Sequence, residues 1–179
     1  MPTPPRKLSR SPAKLPEGPA DSLRSFEDSL PMALLRAREA VMRRFRPFLQ
    51  SFEVTEQQWR VLRALNEVAE IDAIGLARVT FLLPPSLTRI LRDLEARGWV
   101  RRSVNRSDNR VAVLSLSPAG RRLLTERGRQ SERIYQAIAS RIGADRLEEL
   151  MQLLRSVEED LQDPAPDAPA SATQPGPGC

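Results

Sequence analysis

Nine arginines fall between residues 84 and 122, against three acids, Asp93, Glu95 and Asp108. That local excess of six exceeds the formal charge of the whole 179-residue chain, +5. Arginine holds phosphate and guanine edges bidentately, and its charge does not titrate away. GC-rich codon usage also raises arginine throughout a chain, and 26 of the 28 basic residues here are arginine, the others being Lys7 and Lys14. Location therefore carries the information. Outside this stretch the chain is close to neutral, and a basic region concentrated in one segment fits a polyanionic partner.

Within the stretch, the spacing predicts a helix from Pro84 to Arg97 that stops at Gly98. Leu87, Ile90, Leu91 and Leu94 share its inner face, and Pro85, Arg89, Arg92 and Ala96 share the other, flanked by Ser86 and Thr88. Small and hydrogen-bonding residues near the helix start allow close approach to base edges in a major groove. Arg89 can donate two hydrogen bonds to guanine, and the helix N-terminus favours phosphate. The same spacing also suits an amphipathic helix with a merely solvated basic face, so the segment after Gly98 decides between them. Two valine-bearing strands, Val100–Val104 and Val111–Leu116, flank a polar turn and read as a hairpin. Asp108 and Arg110 are separated by one turn residue, so the carboxylate can hold the guanidinium extended. An extended arginine at a hairpin tip fits a minor groove, and Arg106 suits a backbone phosphate. As a surface ion pair alone, Asp108 with Arg110 would be worth little.

Composition argues against most chemistry. There is no histidine, which removes the commonest general base and metal ligand. The single cysteine, Cys179, is the last residue of the sequence and forms no internal disulfide. No glycine-rich phosphate loop and no metal-ligand cluster stands in the sequence, and Glu158-Glu159-Asp160 reads as solvated charge at a helix end. The expectation is a protein with no catalytic residues, no metal and no cofactor. The proline-broken N-terminus does not look like a signal peptide, and no apolar run approaches membrane-spanning length. These features predict a cytoplasmic protein with no membrane partner.

The elements that must position these residues are mainly helical. Twelve of the sixteen prolines precede Met32 or follow Asp163, so residues 1–29 and 163–179 read as flexible tails. The first helix is expected from Pro31 toward Phe52, with a bend at Pro47. Thr55 and Gln58 form a capping box for the second, whose stripe is Trp59, Leu62, Leu65 and then Val68 or Ala69. Asp72 caps a short third helix, Ala73 to Arg78. After the hairpin, Ser117-Pro118 starts a long helix to Gly143, and Leu147, Leu150, Met151, Leu154, Val157 and Leu161 line the last. The pattern predicts a mainly α fold with a small β-hairpin wing: a winged helix-turn-helix at 55–116, with terminal helices at 30–54 and 117–162. Those terminal helices carry more apolar stripe than one small domain covers, which predicts a homodimer built from them. The partner would be double-stranded DNA. The alternative is a helical protein-interaction module without DNA binding.

Three runs carry a family resemblance. These are Thr55-Glu56-Gln57-Gln58-Trp59-Arg60-Val61-Leu62 with Leu65, Leu87-Thr88-Arg89 through Leu94-Glu95-Ala96-Arg97-Gly98, and Arg106-Ser107-Asp108-Asn109-Arg110 leading into Leu116-Ser117-Pro118-Ala119-Gly120. Together they resemble the MarR (multiple antibiotic resistance regulator) family of winged-helix repressors over residues 30–161. Pro84-Pro85 is a stiffer entry to the recognition helix than is typical of that family. Met32 to Glu39 and Phe45-Arg46-Pro47 are similar to the branch that controls degradation of homoprotocatechuate and related aromatic acids. The resemblance implies a repressor released from a palindromic operator by a small aromatic carboxylate of the hydroxylated phenylacetate, benzoate or nicotinate type. For that ligand the sequence offers Trp59 and Arg60 on the second helix and Arg36, Arg38 and Arg43 on the first, Arg60 being the first choice for the carboxylate.

Overall fold

The computed structural model describes residues 25–104 and 112–162. Their order is α1 (Leu30–Gln50), α2 (Glu56–Asn66), β1 (Ile71–Asp72), α3 (Ala73–Thr80), α4 (Pro84–Ala96), β2 (Val100–Val104), β3 (Ala112–Leu116), α5 (Pro118–Ile142) and α6 (Ala144–Gln162). The chain divides into two compact units, residues 1–44 and 45–179, with α1 running through the boundary. In the first unit a short turn precedes α1. There the Ser25 hydroxyl donates to Asp28, and Arg36 donates to the Glu27 carbonyl. Leu30, Leu34, Leu35 and Val41 are exposed.

Helix α1 passes through Pro47 unbroken and stops at Gln50, so Phe52 lies in the turn after it. Proline has no N–H, so the helix forgoes one i→i−4 hydrogen bond at Pro47 and still continues to Gln50. The turn closes with Glu53 N–H donating to Gln50 O and Val54 N–H to Leu49 O, which places Glu53 in the left-handed region at φ 56°. Helix α2 then opens with the expected capping box. Thr55 Oγ1 accepts from Gln58 N–H at 3.1 Å, and Gln58 Oε1 accepts from Thr55 N–H at 2.8 Å.

Val61, Leu62 and Leu65 of α2 are fully buried. The stripe does not continue to Val68 or Ala69. Helix α2 ends at Asn66, and both residues are exposed on the way to β1. The hairpin is likewise one strand short of the real sheet, which has three antiparallel strands in the order β1-β3-β2. Ile71 pairs with Leu114 and Asp72 with Val113. Two residues are too few to show an alternation in sequence. In the wing pair, Val100 faces Leu116, Arg102 faces Leu114 and Val104 faces Ala112. Strand β3 is described from Ala112, and Val111 lies outside the described residues.

Asp72 caps α3 as expected, accepting from Gly75 N–H at 2.6 Å, and the helix extends past Arg78 to Thr80. Helix α4 buries Leu87, Ile90, Leu91 and Leu94, each no more than 5% exposed. Burying four such side chains contributes roughly 1.5–3 kcal/mol apiece, which fixes α4 on the core by one face. Its far end closes at Gly98, φ 70°, where Gly98 N–H donates to Glu95 O and Trp99 N–H to Leu94 O. Ser117 joins this end to α5: its hydroxyl donates to Gly98 O and accepts from Gly120 N–H. Gly120 is required there, because a Cβ would overlap the Trp99 carbonyl oxygen. No described side chain of α6 is buried. Among the described residues no single helix is long and apolar enough to cross a membrane.

Candidate nucleic-acid interface

The outer face of α4 carries the residues that sequence placed there. Pro85, Thr88, Arg89 and Arg92 are exposed and Ser86 is half-buried. Arg89, Arg92 and Arg101 make no ion pair among the described residues, so their charge is directed at solvent. The other two arginines of this stretch before the turn are occupied. Arg97 pairs with Asp93 at 3.1 Å, and Arg102 with Glu95 at 3.0 Å. The two acids therefore offset the arginines that hold the scaffold and leave those on the outer face unneutralised.

The start of α4 differs from what a phosphate cradle needs. Pro84 and Pro85 occupy its first positions, so two of the free N–H groups of an ordinary helix start do not exist. The residue before them, Leu83, gives no side-chain cap. The Thr88 hydroxyl donates to the Pro84 carbonyl at 2.9 Å, and the residue is exposed. The expected pull of this terminus on phosphate is thus weaker than its helical geometry alone implies.

A polar clasp that the sequence did not reveal holds α4 at mid-length. Gln58, buried in α2, donates from Nε2 to Asp93 at 2.6 Å while its Oε1 completes the capping box. Asp93 also holds Arg97, whose Nη1 donates to the Glu53 carbonyl at 3.0 Å and whose guanidinium stacks 5.0 Å from the Trp99 ring. In the sequence Gln58 read only as a cap, and the pair of Asp93 with Arg97 emerges with the structure. A shallow cleft of about 280 Å³ lies between Thr55, Gln57 and Gln58 on one side and Arg89, Ile90 and Asp93 on the other. Arg106, Asp108 and Arg110, the expected wing-tip residues, lie outside the described residues.

The residues considered for a ligand are separated by role. Trp59 stands edge-on to Phe48 and Phe52, with ring centroids 5.4 and 5.8 Å away. Arg127 of α5 lies over Phe52 at 5.2 Å, and its Nε is buried without a hydrogen-bond partner. Arg60 points elsewhere: its Nη1 donates to the Thr80 carbonyl at 2.9 Å and closes the end of α3. In the unit of residues 1–44, Arg36 is bonded to Glu27, Arg38 pairs with Glu39 and Arg43 is exposed. Trp59 therefore packs in an aromatic cluster with Phe48 and Phe52, and the cation that lies over Phe52 in it is Arg127.

Known proteins share this fold. The MarR family model matches residues 54–112. The homoprotocatechuate degradative operon repressor of Escherichia coli is 40% identical over 129 residues, which are 72% of this chain and 87% of that protein. The HTH-type transcriptional regulator FarR of Neisseria gonorrhoeae is 38% identical over 136 residues, 74% of this chain and 93% of that one. The crystal structure of NadR in complex with 4-hydroxyphenylacetate superposes with a TM-score of 0.66 at 36% identity, covering 75% of this chain and all of that one. With a core-fixed helix presenting free arginines beside a small sheet, and relatives of this closeness, the chain belongs to the MarR family and is a DNA-binding transcriptional regulator.

Proposed function

We propose that this regulator is a homodimeric repressor that occupies a pseudo-palindromic operator and is released by a small aromatic carboxylate. The observation that carries the reading is the outer face of α4, where Arg89 and Arg92 make no ion pair among the described residues and the nearby acids are committed to other arginines. Residues 55–116 read the DNA: Arg89 takes a guanine edge, Pro85, Ser86 and Thr88 allow close approach, and Arg92 meets backbone phosphate. At the wing, Arg110 held by Asp108 enters the minor groove and Arg106 binds phosphate. Residues 30–54 and 117–162 join two copies, which would sit in the cytoplasm with the DNA they read. Support for the pairing comes from α6, whose Leu150, Met151, Leu153, Val157 and Leu161 are all exposed.

The effector class is drawn from the relatives, one named for a homoprotocatechuate operon and another bound to 4-hydroxyphenylacetate. Trp59 supplies the aromatic wall, with Arg36, Arg43 and Arg60 as candidates for the carboxylate. An effector that binds better to a form with misspaced recognition helices shifts the population away from DNA. The test is fluorescence anisotropy on duplexes selected from a random pool, with salt and 4-hydroxyphenylacetate titrated separately. Affinity is expected to fall steeply with salt, because phosphate contacts release counterions. It should fall again on adding 4-hydroxyphenylacetate. Salt-independent binding, or no binding, would point to a protein-interaction module instead.

A further inference from the structure

An apolar prow stands at the start of α4. Phe81 is 82% exposed and Leu83 is 74% exposed, while Leu82 between them is buried. Pro85, two residues on, is also exposed. Phe81 occupies the left-handed position that ends α3, with φ 52° and ψ 41°. Its N–H donates to Arg78 O and that of Leu82 to Ala77 O, the arrangement in which helices ordinarily place glycine. Leu83 holds the N-cap position of α4 without any side-chain hydrogen bond, where serine, threonine or aspartate would cap the helix. Both sites thus carry the residue type least suited to the local backbone, and both present it to solvent.

We propose that Phe81, Leu83 and Pro85 read the 5-methyl groups of thymines in the major groove. The inference rests on the DNA-binding reading above and names what this end of the helix recognises. The major-groove edge of thymine is the only base edge carrying a methyl group, and apolar side chains read it by contact. Continuity with the arginines of α4 supplies the occupant: Arg89 and Arg92 lie further along the same helix, exposed and without an ion pair among the described residues. The two prolines weaken the alternative use of this terminus, since they remove two of the N–H groups a phosphate would use.

The test pairs a DNA change with a protein change that improves the fold. A duplex selected by the full chain from a random pool is compared with the same duplex carrying deoxyuridine for thymine in the half-sites, which deletes only methyl groups. Affinity should fall about four-fold per methyl read and about fifteen-fold when one is read in each half-site, taking the burial of one carbon as the unit. The double variant Phe81→Gly, Leu83→Ser gives both positions the residue their backbone prefers, so it should melt at or above wild type. Its preference for the thymine duplex should shrink, because Pro85 alone is left to read a methyl, with its salt-dependent affinity for DNA retained. Equal affinity of wild type for both duplexes, a selected half-site without thymine, or an undiminished preference in the double variant would overturn the proposal while leaving DNA reading intact. Failure to bind any duplex would overturn both.

Discussion

Helices α4 and α6 are built from the same kind of sequence and have opposite fates. Each carries apolar residues at spacings of three and four with charges between them. In α4 that stripe is buried to within a few per cent by α2, α3 and the sheet. In α6 Leu150, Met151, Leu153, Val157 and Leu161 are between 37% and 77% exposed. A periodic stripe therefore specifies a helix and the face it will bury, but not which surface covers that face. For α4 the cover is local, because the helix is reached through short turns from its neighbours. For α6 it has to come from outside the described residues of one chain, and a second copy is the economical source.

The sharpest way to separate the two helices is to truncate one and charge the other. Leu94→Ala opens a cavity at a residue with no exposed surface, and should cost about 2–5 kcal/mol in urea denaturation. A loss below ~1 kcal/mol would mean that α4 is held mainly by something other than its core face. Leu150→Asp with Val157→Asp places two charges on exposed positions of α6. If that stripe joins two copies, the dimer should dissociate at least roughly a hundred-fold more readily, about 2.7 kcal/mol. Sedimentation velocity across a dilution series reads this, and circular dichroism checks that the helices persist. An unchanged sedimentation profile would leave α6 a solvated helix and remove the contrast.

Legibility in the sequence obeys the same division. Elements set by local rules were readable. The Thr55–Gln58 box, the Asp72 and Ser117 caps, the Gly98 stop and the leucine face of α4 depend on residues within one or two turns of each other. What escaped depends on residues distant in sequence. Strand β1 exists because Ile71 and Asp72 meet β3 more than 40 positions later. Gln58 was legible as a cap but not as a bond to Asp93, since its second partner is 35 residues away. The bond from Arg60 to the Thr80 carbonyl escaped in the same way, its partner being 20 residues away. Left-handed helix ends show the same limit: Gly98 announces one, whereas Glu53 and Phe81 adopt the conformation without the residue that signals it, at a cost of roughly 1–2 kcal/mol each.

The smallest effect concerns whether α4 is oriented as well as buried. Leucines fix a face but are indifferent to small rotations about the helix axis, since apolar contact has no direction. Hydrogen bonds have direction, and the clasp of Gln58, Asp93 and Arg97 is placed where a rotation would strain it. Asp93→Asn keeps the shape and removes the charge. With the Asp93 side chain 44% exposed, screening limits the loss to about 1 kcal/mol. A double-mutant cycle with Gln58→Ala should return about 0.5–1 kcal/mol of coupling, as expected for side chains in direct contact. Discrimination among duplex sequences should drop in Asp93→Asn by more than its overall affinity for DNA, because a rotated helix keeps its phosphate contacts longer than its base contacts. Additive stabilities in the cycle together with unchanged sequence discrimination would show that the leucine face alone sets the orientation, and α4 would then differ from α6 only in being covered.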